Sequence, residues 1–121
     1  MTDKELRFPV QFDQEWWTAD LARATPNGRK VAEAARLEHE RDGVPRSDLR
    51  PCEAEGRDGT ELKRCFKVYL PRPAGRFGMI FRPDLVDRKA VLRYLAFGVR
   101  HHPPESHAET VYQIAHRRLH G

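Results

Sequence analysis

From residue 63 to residue 82 the sequence changes character at every second position, and this period of two constrains the fold more than any other feature. In KRCFKVYL (63–70), Phe66, Val68 and Leu70 point one way while Lys63, Cys65, Lys67 and Tyr69 point the other. RFGMIFR (76–82) repeats the pattern, with Phe77, Met79 and Phe81 opposite Arg76, Gly78, Ile80 and Arg82. PRPAG between them supplies a turn, so the two segments predict an antiparallel hairpin with a greasy face and a basic one. AVLRYLAFGVR (90–100) is apolar at nearly every position, which suits a central strand covered on both sides. Strict alternation along it puts Tyr94, Ala96, Gly98 and Arg100 on one face, a groove floor of small residues ending in an arginine.

Helical patterns flank these strands. LRFPVQF (6–12) predicts a short extended segment that Pro9 restricts to a sheet edge. Asp13 is then an N-cap for QEWWTADLARA, in which Trp17 and Leu21 share a face with Trp16 beside them, and both indoles are expected in the core. PNGRKVAEAARLEHERDG predicts a second helix with Val31, Ala34, Ala35 and Leu37 along one side, Gly43 ending it and Pro45 preventing continuation. Residues 44–62, rich in Pro, Gly and charge, read as a loop. Near the C-terminus Ser106 and Glu109 have capping-box spacing, and Ala108, Val111, Ala115 and Leu119 form the stripe of a short amphipathic helix. The expected architecture is one α+β domain over residues 1–121: an N-terminal helical hairpin packed on a small antiparallel sheet, with a short C-terminal helix and the helices on one face.

Charge divides the chain into unlike halves. Residues 1–60 carry a net charge of −3 and residues 61–121 one of +7, the two giving the formal +4 of the whole. A basic half beside an acidic one suits a polyanion such as a phosphate backbone, with solubilising charge as the plain alternative. Cys52 and Cys65 form no CxxC pair and have no second pair to complete a zinc site, so two reduced thiols in a cytoplasmic protein are expected. No signal-like pattern opens the chain and no run approaches 18 apolar residues, so neither secretion nor a membrane partner is expected. His116 and His120 lie one helical turn apart, but without a third ligand they predict a solvated helix end and no metal site.

Taken in order and spacing, LKRCFKVYL, FGMIFR, LAFGVR and VYQIAHRRL resemble the sheet and tail of the RelE/ParE superfamily of type II toxin–antitoxin toxins; the resemblance covers about residues 61–120. RelE-like members are ribosome-dependent mRNA interferases, held in check by a cognate antitoxin protein. The resemblance implies that Lys67 is the basic residue on the open face of the sheet, that Arg100 contacts the scissile phosphate, and that Tyr112 is the general base. Attack of a 2′-hydroxyl on its phosphate needs a proton acceptor, cations on the phosphorane and a donor for the leaving 5′-oxygen, with neither metal nor cofactor required. A phenol ordinarily ionises near pH 10, so a tyrosine base calls for neighbouring cations.

The sequence also departs from the family pattern. Gly78 stands where RelE-like toxins often carry a second phosphate-binding arginine; Arg76 and Arg82 share its strand parity and are candidate replacements, with Lys63, Arg117 and Arg118 as further RNA-binding candidates. Arg117 and Arg118 equally suit the negative end of a helix dipole. The loop HHPPESHAET is longer than in compact members, which brings His101 and His102, next to Arg100, forward as alternative acid or base. Tyr112 has a second reading too, as a half-buried core tyrosine. Two other functions share the fold: a ParE-like inhibitor of DNA gyrase that acts by binding, and a non-toxic RNA-binding module.

Overall fold

The alternating segments become the middle of a five-stranded sheet in the computed structural model, which describes residues 5–56, 59–71 and 75–121. In chain order, β1 (Arg7–Phe8) and β2 (Val10–Gln11) lead into α1 (Gln14–Arg23) and α2 (Pro26–Asp42). Then come β3 (Val44–Pro45), a 3₁₀ turn (Arg46–Asp48) and β4 (Arg50–Pro51), followed by β5 (Phe66–Leu70), β6 (Phe77–Val86), β7 (Lys89–Val99) and α3 (Val111–His120). The large sheet has the order β2-β7-β6-β5-β4 and is antiparallel from β7 to β4. β2 departs from the expected antiparallel arrangement by running parallel to β7, while β1 pairs with β3 in a separate two-stranded ribbon. Pro9 separates β1 from β2, so one extended segment serves two sheets, with β2 at an edge as expected.

Local chemistry sets the helix ends. The Asp13 carboxylate accepts from Trp16 N–H at 3.0 Å, and the Thr25 hydroxyl accepts from Gly28 N–H at 3.1 Å with Pro26 in the first turn behind it. Gly43 ends α2 at φ 76°, and a Cβ there would lie 2.9 Å from the Phe8 carbonyl oxygen, so glycine is required twice over. The face that α2 buries differs from the expected one: Gly28, Ala32, Ala35 and His39 are buried, while Leu37 is 67% exposed. Small residues win because the helix lies close against the sheet; a Cβ at Gly28 would already be 3.2 Å from the Phe77 ring.

Helices cover both faces of the sheet, a correction to the one-sided packing expected. On one face Trp17, Ala32 and Ala35 of α1 and α2 pack with Val68, Leu70, Phe77, Met79, Phe81 and Phe97. On the other, Val111, Ile114 and Ala115 of α3 pack with Ile80, Leu95 and Ala96, joined by Leu62 and Cys65. Each fully buried side chain of this size contributes about 1.5–3 kcal/mol, so both layers are structural. Trp17 is 5% exposed and Trp16 touches both layers, in line with a packing role for the indoles.

A register shift between Ile80 and Phe81 divides β7 in two: Ile80 lies opposite Ala96, but Phe81 lies opposite Tyr94. Leu95 is the extra residue, so Leu95 and Ala96 both serve the α3 layer while Tyr94 turns to the α1 and α2 layer. Tyr94 is therefore not on the Gly98 and Arg100 face, as unbroken alternation would have it. Beyond Phe81, β6 has left β5 behind, and Pro83 falls on this one-sided stretch where a missing N–H is tolerated. The β6–β7 hairpin closes through Asp87 and Arg88, both at positive φ (52° and 67°), a two-residue turn made without glycine.

The described part of residues 44–62 is irregular apart from the short strands and the 3₁₀ turn, yet Val44, Thr60 and Leu62 are buried. The turn expected from PRPAG lies in part outside the described residues, which resume at Gly75. α3 starts later than expected: Thr110, not Ser106, is its N-cap, and the capping box pairs Thr110 with Gln113. Glu109 is left outside the helix and pairs with Arg117 instead.

Candidate functional site

Three elements bring Lys67, Arg100, His101 and Tyr112 to one cavity of about 500 Å³. Lys67 and Tyr69 come from β5, on the side opposite the buried Val68 and Leu70, as their alternation requires. Arg100 and His101 follow the last residue of β7. Tyr112 is the second residue of α3, so the capping box at Thr110 fixes its position, and Thr110 itself lines the cavity.

Small residues let the helix come down. Gly78 and Gly98 lie opposite each other on β6 and β7 beneath Val111. A Cβ on Gly78 would be 3.3 Å from both Arg100 Cγ and Val111 Cγ1, so the space an arginine would fill at position 78 holds the Arg100 stem. The departure at Gly78 and the position of Arg100 are one packing solution.

Neutral groups hold the Arg100 guanidinium. Its Nη1 donates to the Gly75 carbonyl at 2.9 Å, its Nε donates to the Tyr112 hydroxyl at 3.4 Å, and its Cζ lies 3.7 Å from the Tyr69 ring centroid. Lys67 Nζ lies 5.1 Å from the Tyr112 ring centroid and 5.4 Å from that of Tyr69. No carboxylate bonds to Arg100 or Lys67 among the described residues, so two cations flank a phenol with their charge available to an anion. Tyr69 is the face on which Arg100 rests.

His101 lines the cavity with its ring centroid 6.3 Å from that of Tyr112. His102 does not line it: its Nε2 is bonded with the Glu109 carbonyl at 3.1 Å, holding the loop to the start of α3. The long loop nonetheless delivers Tyr112 to the cavity. Glu53, Gly56, Thr60 and Leu62 complete the wall. Sequence periodicity could not find them, because the 52–62 segment has none.

The other basic candidates lie elsewhere. Lys63 and Arg76 are exposed and do not line this cavity, and Arg82 belongs to a separate hollow. Arg117 is bonded to Glu109 through both carboxylate oxygens, at 3.0 and 3.1 Å. Arg118 is committed to the fold: its side chain is 5% exposed, and it donates to both oxygens of Asp20 at 2.7 and 2.9 Å and to the Leu95 carbonyl at 2.7 Å. The buried Asp20 carboxylate also accepts from Tyr94 O–H, Phe97 N–H and Arg23. Burial next to that carboxylate pushes the Tyr94 phenol far up from its usual range. This network joins α1, β7 and α3, and a lone aspartate within a helix pattern gave no sign of it.

Neither thiol is poised as a nucleophile. Burial pushes Cys52 up to about 12 and raises Cys65 as well, which keeps both protonated at neutral pH. His116 Nδ1 accepts from Glu61 N–H at 2.9 Å, and His120 Nε2 is bonded with the Glu61 carbonyl at 2.7 Å. Both histidines thus clasp the cavity wall to α3. Neither a scan of protein-family models nor a search of curated proteins returned a match to this chain. Among the described residues no helix is long and apolar enough to cross a membrane.

Proposed function

We propose that this chain is a RelE-like mRNA interferase, the toxin of a type II toxin–antitoxin pair, acting in the cytoplasm on ribosome-bound mRNA. One observation carries the reading: Lys67 of β5, Arg100 and His101 after β7, and Tyr112 of α3 line a single cavity. In the proposed reaction the Tyr112 oxygen takes the proton of a 2′-hydroxyl, whose oxygen attacks the adjacent phosphorus. Arg100 and Lys67 stabilise the phosphorane. The bond from phosphorus to the 5′-oxygen breaks, a proton from His101 passes to that oxygen, and a 2′,3′-cyclic phosphate and a 5′-hydroxyl remain. No step calls on a metal or cofactor. The silencing partner is a small antitoxin that lays an acidic or amphipathic segment over the basic half.

Expression of the chain alone should arrest growth, and primer extension on ribosome-bound mRNA should show new 5′ ends within codons. Tyr112→Phe keeps the ring and deletes the hydroxyl, so it should melt like the parent while cleavage falls. Full toxicity in Tyr112→Phe would remove tyrosine from the mechanism. Double-strand breaks and an SOS response with intact mRNA would put gyrase inhibition in its place.

A further inference from the structure

A second hollow, about 320 Å³, lies at the other end of α3 and shares no lining residue with the first. Thr110 and Tyr112 border the first cavity and Arg118 and Leu119 the second, so about 9 Å of helix separates Tyr112 from Arg118. Arg82 of β6 and Arg93 of β7 form its floor, directly opposite each other in the strand register. Their Cβ atoms are about 5 Å apart; Asp84 bonds to Arg93 through Nε alone, so the Arg93 Nη groups and the Arg82 guanidinium have donors for a further anion.

Among the described residues the carboxylates nearby leave Arg82 without a partner and Arg93 with one. Asp84 is bonded to Arg93 at 2.6 Å, and its carboxyl is held below the usual range first by that bond, then by the Leu85 N–H, with Arg82 contributing least. Asp13, the only acidic residue on the hollow among the described residues, accepts the Trp16 N–H as the cap of α1. Asp20 is spent on Arg118. The Arg82 guanidinium makes no ion pair or hydrogen bond among the described residues. Arg82 and Arg93 thus face the hollow with one aspartate, Arg118 beside them being spent on Asp20, and the N-terminus of α1 and the Trp16 indole lie on its wall.

We propose that this hollow is a phosphate-binding site, with Arg82 and Arg93 taking the phosphoryl oxygens beside the Trp16 indole. The inference does not rest on the cleavage reading. The phosphoryl group can come from a free nucleotide or from the backbone of a single strand.

Titrating inorganic phosphate into the ¹⁵N-labelled full chain should give saturable shifts at the Arg82, Arg93 and Leu95 amides and at the Trp16 indole N–H. Arg82→Ala, which removes an exposed side chain and should melt like the parent, is expected to weaken binding about tenfold, with Arg82→Lys recovering part of the loss. Adenosine monophosphate binding as tightly as a short oligoribonucleotide would identify a small ligand. Affinity that grows with strand length and falls steeply with salt would identify a nucleic-acid backbone. Unchanged binding by Arg82→Ala overturns the proposal, as do equal shifts from sodium chloride at matched ionic strength or shifts confined to Lys67, Arg100 and Tyr112.

Discussion

Arg100 and Arg118 come from the same basic half of the chain and lie 18 positions apart, yet their surroundings give them opposite properties. Arg118 meets a buried carboxylate at two oxygens, so its charge is cancelled inside the fold. Arg100 meets a carbonyl, a phenol and an aromatic face, all uncharged, so its charge stays available to the cavity. Sequence counts them equally toward +7. The partner decides whether an arginine belongs to the fold or to a ligand.

Removing one partner of the buried pair should be the most damaging change. Asp20→Ala strands Arg118 and leaves Tyr94 O–H and Phe97 N–H without their acceptor, a loss expected to cost about 3–5 kcal/mol of stability by urea denaturation. A loss below about 1 kcal/mol would show that water reaches the pair and would break the contrast. Arg100→Ala should behave in the opposite way, with stability within about 1 kcal/mol of the parent and cleavage down about a hundredfold. A variant that unfolds without losing specific activity per folded molecule would place Arg100 with Arg118.

Gly78→Val tests the floor on which Arg100 lies. The added methyls meet Arg100 Cγ and Val111 Cγ1, so about 1–3 kcal/mol of stability should go, with activity falling beyond what unfolding explains. Unchanged melting would show that α3 can lift from the sheet. The smallest effect belongs to the exposed pair Glu109–Arg117. Arg117 holds the Glu109 carboxyl below its ordinary 4.5, so this pair's stabilisation is present above that pH and disappears as pH falls through the folded value. Glu109→Gln should therefore cost about 0.5 kcal/mol or less at pH 7, fading to nothing in acid, as urea midpoints across pH would show. A loss that persists in acid would point to the hydrogen bonds rather than the charge.

Much of this was legible in the sequence. Period two placed Lys67 and Tyr69 away from the core, Asp13 and Gly43 marked helix ends by chemistry that acts within three or four residues, and the position of Gly98 and Arg100 on one face survived in the structure. What was hidden depends on contacts distant in sequence. The burial of Gly28 and His39 in place of Leu37 follows from how closely α2 approaches β6, and the role of Asp20 from an arginine 98 residues away. Thr110 and Ser106 both have capping residues three positions on; only the tertiary seat of Val111 chose between them. Glu53 and Thr60 reach the cavity from a segment with no period to read.

The extra residue in β7 has a consequence for how substitutions and deletions differ here. Leu95 works like a spacer in a reading frame: upstream of it Leu92 and Tyr94 face one layer, and downstream Phe97 faces that same layer only because one position has been skipped. Point changes leave this frame intact. Deleting Leu95 alone would restore even alternation and leave Tyr94 and Phe97 on one face and Ala96, Gly98 and Arg100 on the other, removing one side chain from the α3 layer. The bulge thus seats two consecutive residues in the α3 layer, and cooperative unfolding at reduced stability would be the signature of the deletion variant.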